Sequence, residues 1–284
     1  MAIYIGLDIG GTKLIAAAAD AQGTLLRQVQ SPTPQDLNEG LLLLKDMTRT
    51  VAGGDDIAAI GASAGGPLDY VTGVVSPLHQ PQWRDVPLKT IFEGEFGCPF
   101  SVDVDTNAAA LAEYQWGGDS PQFLLYLTLS TGMGGGFVID GALYRGANGV
   151  HPEVGHQAVP YVGSFQRPVV CECGAAGCLE ELVSGNGIRR LYGKPASEID
   201  AREWAEVAAN LGAGLRNLAA IYAPDVIAIG GGVAVGGGEP FIAEAAGVMA
   251  EGLRLVPPPQ VRLSRLGYET ALYGAVALAM AAQP

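Results

Sequence analysis

The chain has 284 residues, enough to bury a substantial core as one large domain or two lobes, and its 49% hydrophobic, 7% aromatic composition suits an α/β enzyme built on Ala, Val, Leu and Gly. A formal net charge of -13 argues against nonspecific nucleic-acid binding, because neutralising phosphates requires clustered Lys and Arg. The first residues lack the charged region and cleavage site of a secretory leader, and no apolar run reaches the length of a membrane span, so the expected compartment is the reducing cytoplasm.

Residues 3–7 read as a buried strand, Gly10-Gly11 as a tight turn and residues 14–19 as a second strand ending in the turn 20–23. Leucines at helical spacing predict a helix over 37–51, and residues 57–62 a strand entering the turn Gly65-Gly66-Pro67. A short strand follows at 100–104, then an alanine-rich helix at 107–115. The opening pattern then recurs: 123–129 is an apolar strand, 132–136 a glycine turn, and 137–139 a second strand running into Asp140-Gly141. Residues 202–223 have helical periodicity, 226–229 form a strand ending in Gly230-Gly231-Gly232, and 270–282 are again helical. Alternating strands and helices with a repeated glycine hairpin predict a two-lobed α/β fold with a cleft between the lobes.

Four motifs carry chemistry. In Leu7-Asp8-Ile9-Gly10-Gly11-Thr12-Lys13, a carboxylate ends a strand and a glycine turn lets backbone N–H groups approach phosphate oxygens. Asp8 would hold Mg²⁺, directly or through water. An ordinary hairpin is the alternative, weakened by a second turn, Ser130-Thr131-Gly132-Met133-Gly134-Gly135-Gly136. Neither has Walker A spacing. Asp103 and Asp105 alternate along a strand just before a helix, so Asp105 is placed either to accept the proton of an attacking hydroxyl or to cap that helix. Finally, three of the four cysteines stand in Cys171-x-Cys173-x-x-x-x-Cys178, and His156 adds an imidazole. Three thiolates and one imidazole fill a tetrahedral zinc shell, the signature of a structural site. Glu153 and Glu180 bracket these ligands.

These motifs together resemble the ROK family (repressor, open reading frame, kinase) of the hexokinase and actin-like superfamily. The resemblance runs nearly end to end: Asp8-x-Gly-Gly-Thr-Lys13, Gly66-Pro67-Leu68-Asp69, Asp105-Thr106-Asn107, the spaced glycines of 129–156, the cysteine cluster, Gly230-Gly231-Gly232 and Leu272-Tyr273-Gly274-Ala275. It implies a two-lobed actin-like (ribonuclease H-like) ATPase fold with an interlobe active-site cleft. The implied lobes are 1–115, with 270–284 packing back on it, and 116–269. It implies that Asp105 is the general base for a sugar hydroxyl, normally that on C6, and that Gly65, Gly66, Asn107, Glu153, His156 and Glu180 line the sugar pocket. Asp8, Gly10, Gly11, Thr12, Lys13, Thr131, Gly132 and Gly134 fall on the ATP phosphate segments, and Gly230, Gly231 and Gly232 beside adenosine. His156, Cys171, Cys173 and Cys178 coincide with the zinc ligands.

The implied activity is ATP- and Mg²⁺-dependent phosphorylation of a hexose, glucose first, by a homodimer or higher homo-oligomer with structural Zn²⁺. An N-acetylhexosamine kinase, a fructokinase or a noncatalytic sugar sensor are the alternatives. A repressor is not expected, since the first strand begins at Ile3 with no preceding helix-turn-helix. Two departures stand out: Val104 occupies a position where many members have Asn, and His151-Pro152 replaces Ala-Gly before Glu153. His151 is expected to be a loop residue, because the zinc shell is already full; His79, near Trp83, is either a surface residue or a pocket edge.

Overall fold

The protein is described by a computed structural model covering residues 2–78, 80–166 and 168–282. Its chain divides into two compact units, one of Met1–Trp116 with Glu269–Pro284, the other Gly117–Tyr268. In the first unit the elements are β1 (Ala2–Ile9), β2 (Lys13–Ala19), β3 (Leu25–Pro32), α1 (Leu37–Ala52), β4 (Asp56–Ala64), the short strands β5 (Leu68–Asp69), β6 (Val74–Val75) and β7 (Val86–Pro87), α2 (Leu88–Phe96), β8 (Phe100–Val104) and α3 (Asp105–Trp116). The second unit comprises β9 (Phe123–Leu129), β10 (Met133–Ile139), β11 (Ala142–Leu143), α4 (Leu179–Val183), α5 (Gly185–Tyr192), α6 (Ala201–Tyr222), β12 (Val226–Gly230), α7 (Gly232–Gly252) and β13 (Gln260–Leu263). The last helix, α8 (Thr270–Ala281), belongs to the first unit.

Both five-stranded sheets have the same topology. The orders are β3-β2-β1-β4-β8 and β11-β10-β9-β12-β13. In each, the first three strands in sequence are antiparallel neighbours and the last two add in parallel. The repeated hairpin seen in the sequence is therefore a repeated sheet.

Period-two alternation explains how the first sheet buries both faces. Ile3, Ile5, Leu7 and Ile9 of β1 join Leu44, Met47 and Val51 of α1 in one core. The opposite face is built from small residues because helices lie very close to it. A Cβ on Gly6 would come within 2.7 Å of Val276 Cγ2, one on Gly61 within 2.0 Å of the Ala275 carbonyl oxygen, and one on Gly274 within 2.3 Å of the Ala108 carbonyl oxygen. The alanines of α3 and α8 thus make a thin layer, and the helix periodicity that remains legible is that of size rather than polarity.

The second core gathers Leu125, Leu127 and Leu129 of β9 with Leu211, Leu215 and Leu218 of α6. An Asp200–Glu203 capping box starts α6. The glycine turn expected over 132–136 is shorter than its sequence predicts. The turn is Ser130-Thr131-Gly132, and Gly134, Gly135 and Gly136 lie within β10, where a Cβ on Gly135 would meet Val154 Cγ2 at 2.7 Å and the Tyr126 carbonyl oxygen at 2.9 Å. Gly230 closes β12 and Gly232 opens the 21-residue α7, so the glycine triplet is a strand-to-helix junction. Among the described residues no helix is long and apolar enough to cross a membrane.

Candidate active site

In the first unit β1, β4 and β8 run parallel, so their carboxyl ends share one end of the sheet. Ligands in open α/β sheets bind at that end. Asp8 is the last residue but one of β1, Gly65-Gly66 follows β4, and Asp105 begins α3 directly after β8. The β1–β2 hairpin closes through Gly10 N–H donating to the Lys13 carbonyl (3.1 Å) and is braced by Thr33, whose hydroxyl donates to the Gly10 carbonyl (2.7 Å). Its tip, Gly11, Thr12 and Lys13, is exposed. A Cβ on Gly66 would lie 3.4 Å from Val104 Cγ1, so the β4 turn passes close over the end of β8.

Asp105 is exposed, and its Oδ1 accepts from the Thr106 N–H at 2.8 Å. Asp103, two residues earlier, is buried, and its Oδ1 accepts from Val104 N–H (2.8 Å) and Asn107 Nδ2 (3.0 Å). The structure thus separates the alternating acids, one open and one internal. Burial and the neighbouring Asp105 carboxylate push Asp8 up to about 6, with Lys13 pulling the other way. A folded-state value above the unfolded one means that this group stabilises the fold fully below pH 3.8 and loses that contribution as the pH rises through about 6. In buffer free of magnesium and nucleotide, Asp8→Asn is therefore expected to raise Tm near neutral pH, by at most about 3 kcal/mol of stability, and to match the wild type near about pH 4. Thermal melts across that range check this; a difference independent of pH contradicts it.

The second unit contains the cysteine loop. The ligand atoms of His156, Cys171, Cys173 and Cys178 all lie within 4.8 Å of one another. Cys173 Sγ and Cys178 Sγ are 3.7 Å apart, near the roughly 3.8 Å edge expected of a tetrahedron with about 2.3 Å zinc–sulfur bonds. The His156 Nδ1 edge faces Cys171 Sγ at 3.9 Å. Left-handed glycines, Gly174 (φ 89) and Gly177 (φ 73), turn the loop tightly enough to converge the thiols. Burial pushes Cys178 up to about 12 and raises Cys171, while the Ala175 backbone N–H lowers Cys173. Two buried thiols that resist ionisation beside a third are the donor set a cation would convert to thiolates.

The two flanking acids are tied to different parts of this unit. Glu153 Oε1 is 3.5 Å from His151 Nε2, and its Oε2 is 4.0 Å from His156 Nε2, so one carboxylate sits between two imidazoles. His151 is outside the four-residue ligand cluster. Glu180 Oε2 accepts from Met133 N–H at 2.9 Å, and its Oε1 lies 3.8 Å from Cys171 Sγ. A Cβ on Gly132 would approach Glu180 Oε2 to 3.0 Å. The Ser130-Thr131-Gly132 turn is thereby fixed to the cysteine loop, and Gly185 N–H donating to the Ser130 carbonyl (2.7 Å) and Asn186 N–H to the Thr131 carbonyl (3.0 Å) fix it to α5. At the β12–α7 junction, Gly231 (φ 90) has no room for a side chain, since its Cβ would lie 2.3 Å from the Leu129 carbonyl oxygen.

The structure therefore brings Asp8, Gly10 to Lys13, Gly65, Gly66, Asp105 and Asn107 to one end of the first sheet. In the second unit it joins Glu153, His156, Glu180 and the three cysteines to the Thr131-Gly132 turn. Sequence reasoning missed two features: the Asp103–Asn107 hydrogen bond, and the Arg190–Glu181 ion pair, whose Nε and Nη2 contacts of 2.6 and 2.5 Å brace α4 against α5 behind the loop. His79 lies outside the described residues.

Duplicated sheets with acids and glycine turns at these positions define a two-lobed, actin-like α/β fold of the kind found in sugar kinases. The ROK family model matches residues 4–282, and the chain belongs to the ROK family. A glucokinase from Streptomyces coelicolor is 31% identical over 82% of this chain and 83% of its own. The crystal structure of a ROK hexokinase from Thermus thermophilus is similar at a TM-score of 0.85 and 33% identity, covering 98% of this chain and 97% of that one. A ROK family glucokinase from Streptomyces griseus, solved in complex with glucose and AMPPNP, is similar at a TM-score of 0.77 and 30% identity over 98% of this chain and 99% of its own.

Proposed function

We infer that the protein is an ATP-dependent sugar kinase that converts glucose to glucose 6-phosphate. The observation that carries this reading is near full-length similarity, at 30% identity, to a glucokinase that binds glucose and AMPPNP, in a chain whose Asp105 carboxylate is exposed beside a glycine hairpin and Asp8.

In this reading Asp105 accepts the proton of the C6 hydroxyl as its oxygen attacks the terminal phosphoryl group of ATP. Gly10, Gly11, Thr12, Lys13, Thr131, Gly132 and Gly134 hold the phosphates, and Gly230, Gly231 and Gly232 adjoin adenosine. Asp8 holds Mg²⁺, which neutralises phosphate charge when bound. Gly65, Gly66, Asn107, Glu153, His156 and Glu180 recognise the sugar. His156, Cys171, Cys173 and Cys178 hold a structural zinc ion, for which their donor set and spacing are suited. With Nδ1 directed at the thiols, His156 keeps Nε2 for a proton that it donates to a sugar hydroxyl. Glu180 has less freedom than an open carboxylate, since one oxygen already serves Met133. A homo-oligomer in the cytoplasm completes the proposal, on the strength of family resemblance.

A coupled ADP-release assay over glucose, mannose, fructose, N-acetylglucosamine and N-acetylmannosamine tests the reading. Glucose is expected to give the highest kcat/KM. A preference for fructose or an N-acetylhexosamine reassigns the substrate, and no sugar-dependent ADP release with any of them overturns the kinase reading.

A further inference from the structure

Glu180 lies in the first turn of α4 and is half-buried, yet its carboxylate is engaged on two sides. Oε2 accepts from Met133 N–H at 2.9 Å, and Oε1 lies 3.8 Å from Cys171 Sγ. Met133 is buried and begins β10, where the chain leaves the Ser130-Thr131-Gly132 turn opposite Leu129. From α5, Gly185 and Asn186 hold the carbonyls of Ser130 and Thr131, whereas Glu180 holds the first N–H of the outgoing strand. A buried N–H that loses its acceptor is costly, so without this carboxylate the corner of the turn has to rearrange. Two glycines allow the close approach. A Cβ on Gly132 would come within 3.0 Å of Glu180 Oε2, and one on Gly155 within 2.7 Å of the Met133 carbonyl oxygen and 3.3 Å of Glu180 Cβ.

The geometry points to Glu180 as a positioning residue for the nucleotide: by holding Met133 N–H it fixes the turn that receives the phosphates of ATP. This rests on the proposed function, in which Thr131 and Gly132 hold phosphate and Glu180 meets the sugar. An acid beside a phosphate turn repels the anion next to it, so its charge is no help to the nucleotide and its use there is the hydrogen bond. Donors fixed in advance bind phosphate without the cost of ordering them. Each carboxylate oxygen has two lone pairs, so the bond to Met133 leaves acceptors for a sugar hydroxyl and the same side chain serves both substrates.

The test measures the affinity of the full chain for AMPPNP with Mg²⁺ by calorimetry, without sugar, with zinc content determined alongside. Glu180→Ala is expected to weaken AMPPNP binding about tenfold, as for the loss of one buried hydrogen bond. Glu180→Gln, whose amide oxygen accepts the same N–H, is expected to bind AMPPNP at least as tightly as the wild type, since a negative charge near the phosphates is removed. Should Glu180→Ala prove insoluble, Glu180→Leu, which also lacks an acceptor, takes its place. Wild-type affinity in the variant without an acceptor overturns the assignment. So does a loss in Glu180→Gln equal to that in Glu180→Ala, or a loss that tracks the loss of zinc; each of these leaves the kinase reading intact. A wild type that does not bind AMPPNP overturns both.

Discussion

Replacing Asp105 by asparagine is expected to lower kcat by about 10²-fold or more while nucleotide affinity stays at the wild-type level. The amide keeps the size and the oxygen that accepts from Thr106 N–H, so the start of α3 is retained and only proton acceptance is removed. Phosphoryl transfer depends mainly on positioning and charge neutralisation, and a base that aligns the attacking hydroxyl completes the set. Loss of that base acts on the transition state, so kcat and kcat/KM fall together. If Asp105 served only to begin the helix, asparagine would substitute well and turnover would scarcely change. Steady-state kinetics with a nucleotide titration separate these outcomes, and nearly unchanged turnover removes Asp105 from the mechanism.

Cys173→Ser is expected to release close to one equivalent of zinc and to raise the sugar KM by roughly 10–100-fold, or to unfold the loop outright. Cys173 is exposed, so the substitution removes a ligand without opening a cavity. The effect reaches the sugar because the loop positions more than itself. His156 belongs to the cluster of four donors, Glu153 lies against its ring, and Glu180 spans from Cys171 to the backbone of Met133. Without a cation, buried Cys171 and Cys178 return to neutral thiols whose mutual attraction is slight, and the loop loses its anchor. Metal analysis alongside glucose kinetics checks this. A variant that lacks zinc yet keeps normal sugar kinetics contradicts the link between metal and recognition.

Much of the fold was legible because the signal was periodic. Alternating Ile3, Ile5, Leu7 and the leucines of α1 announce their elements, and the repeated hairpin announced the duplicated sheet. The failures have specific causes. Gly134, Gly135 and Gly136 read as a turn, but they are strand residues, and at Gly135 the missing side chain lets Val154 and the Tyr126 carbonyl approach. α7 was hidden by Gly236, Gly237, Gly238 and Pro240; the chain does break helical geometry at Gly238 (φ 68) before continuing. It is recovered by tertiary packing, with Phe241, Ile242, Ala245 and Met249 buried in the second core. α2 is nine residues long, with no side-chain cap at its start, and offered too short a pattern.

At the candidate site, the legible part was whatever depends on residue type. Cysteine and histidine are scarce here, so their clustering was visible in one dimension, and glycine turns next to acids were equally plain. What could not be read was orientation. Asp103 and Asp105 look equivalent in sequence, but one ends a strand facing inward and the other begins a helix in the open. Likewise, Glu180 read as an acceptor for substrate, and only the fold shows that Met133 N–H already occupies one oxygen.

In the proposed reaction a terminal phosphoryl group passes from ATP to the C6 hydroxyl of a hexose held at this end of the first sheet. Following glucose 6-phosphate and ADP together, with glucose and then 6-deoxyglucose as acceptor, tests it most directly. One sugar phosphate is expected for each ADP with glucose and none with the deoxy sugar. Equal ADP release with both sugars, or none with either, would contradict it.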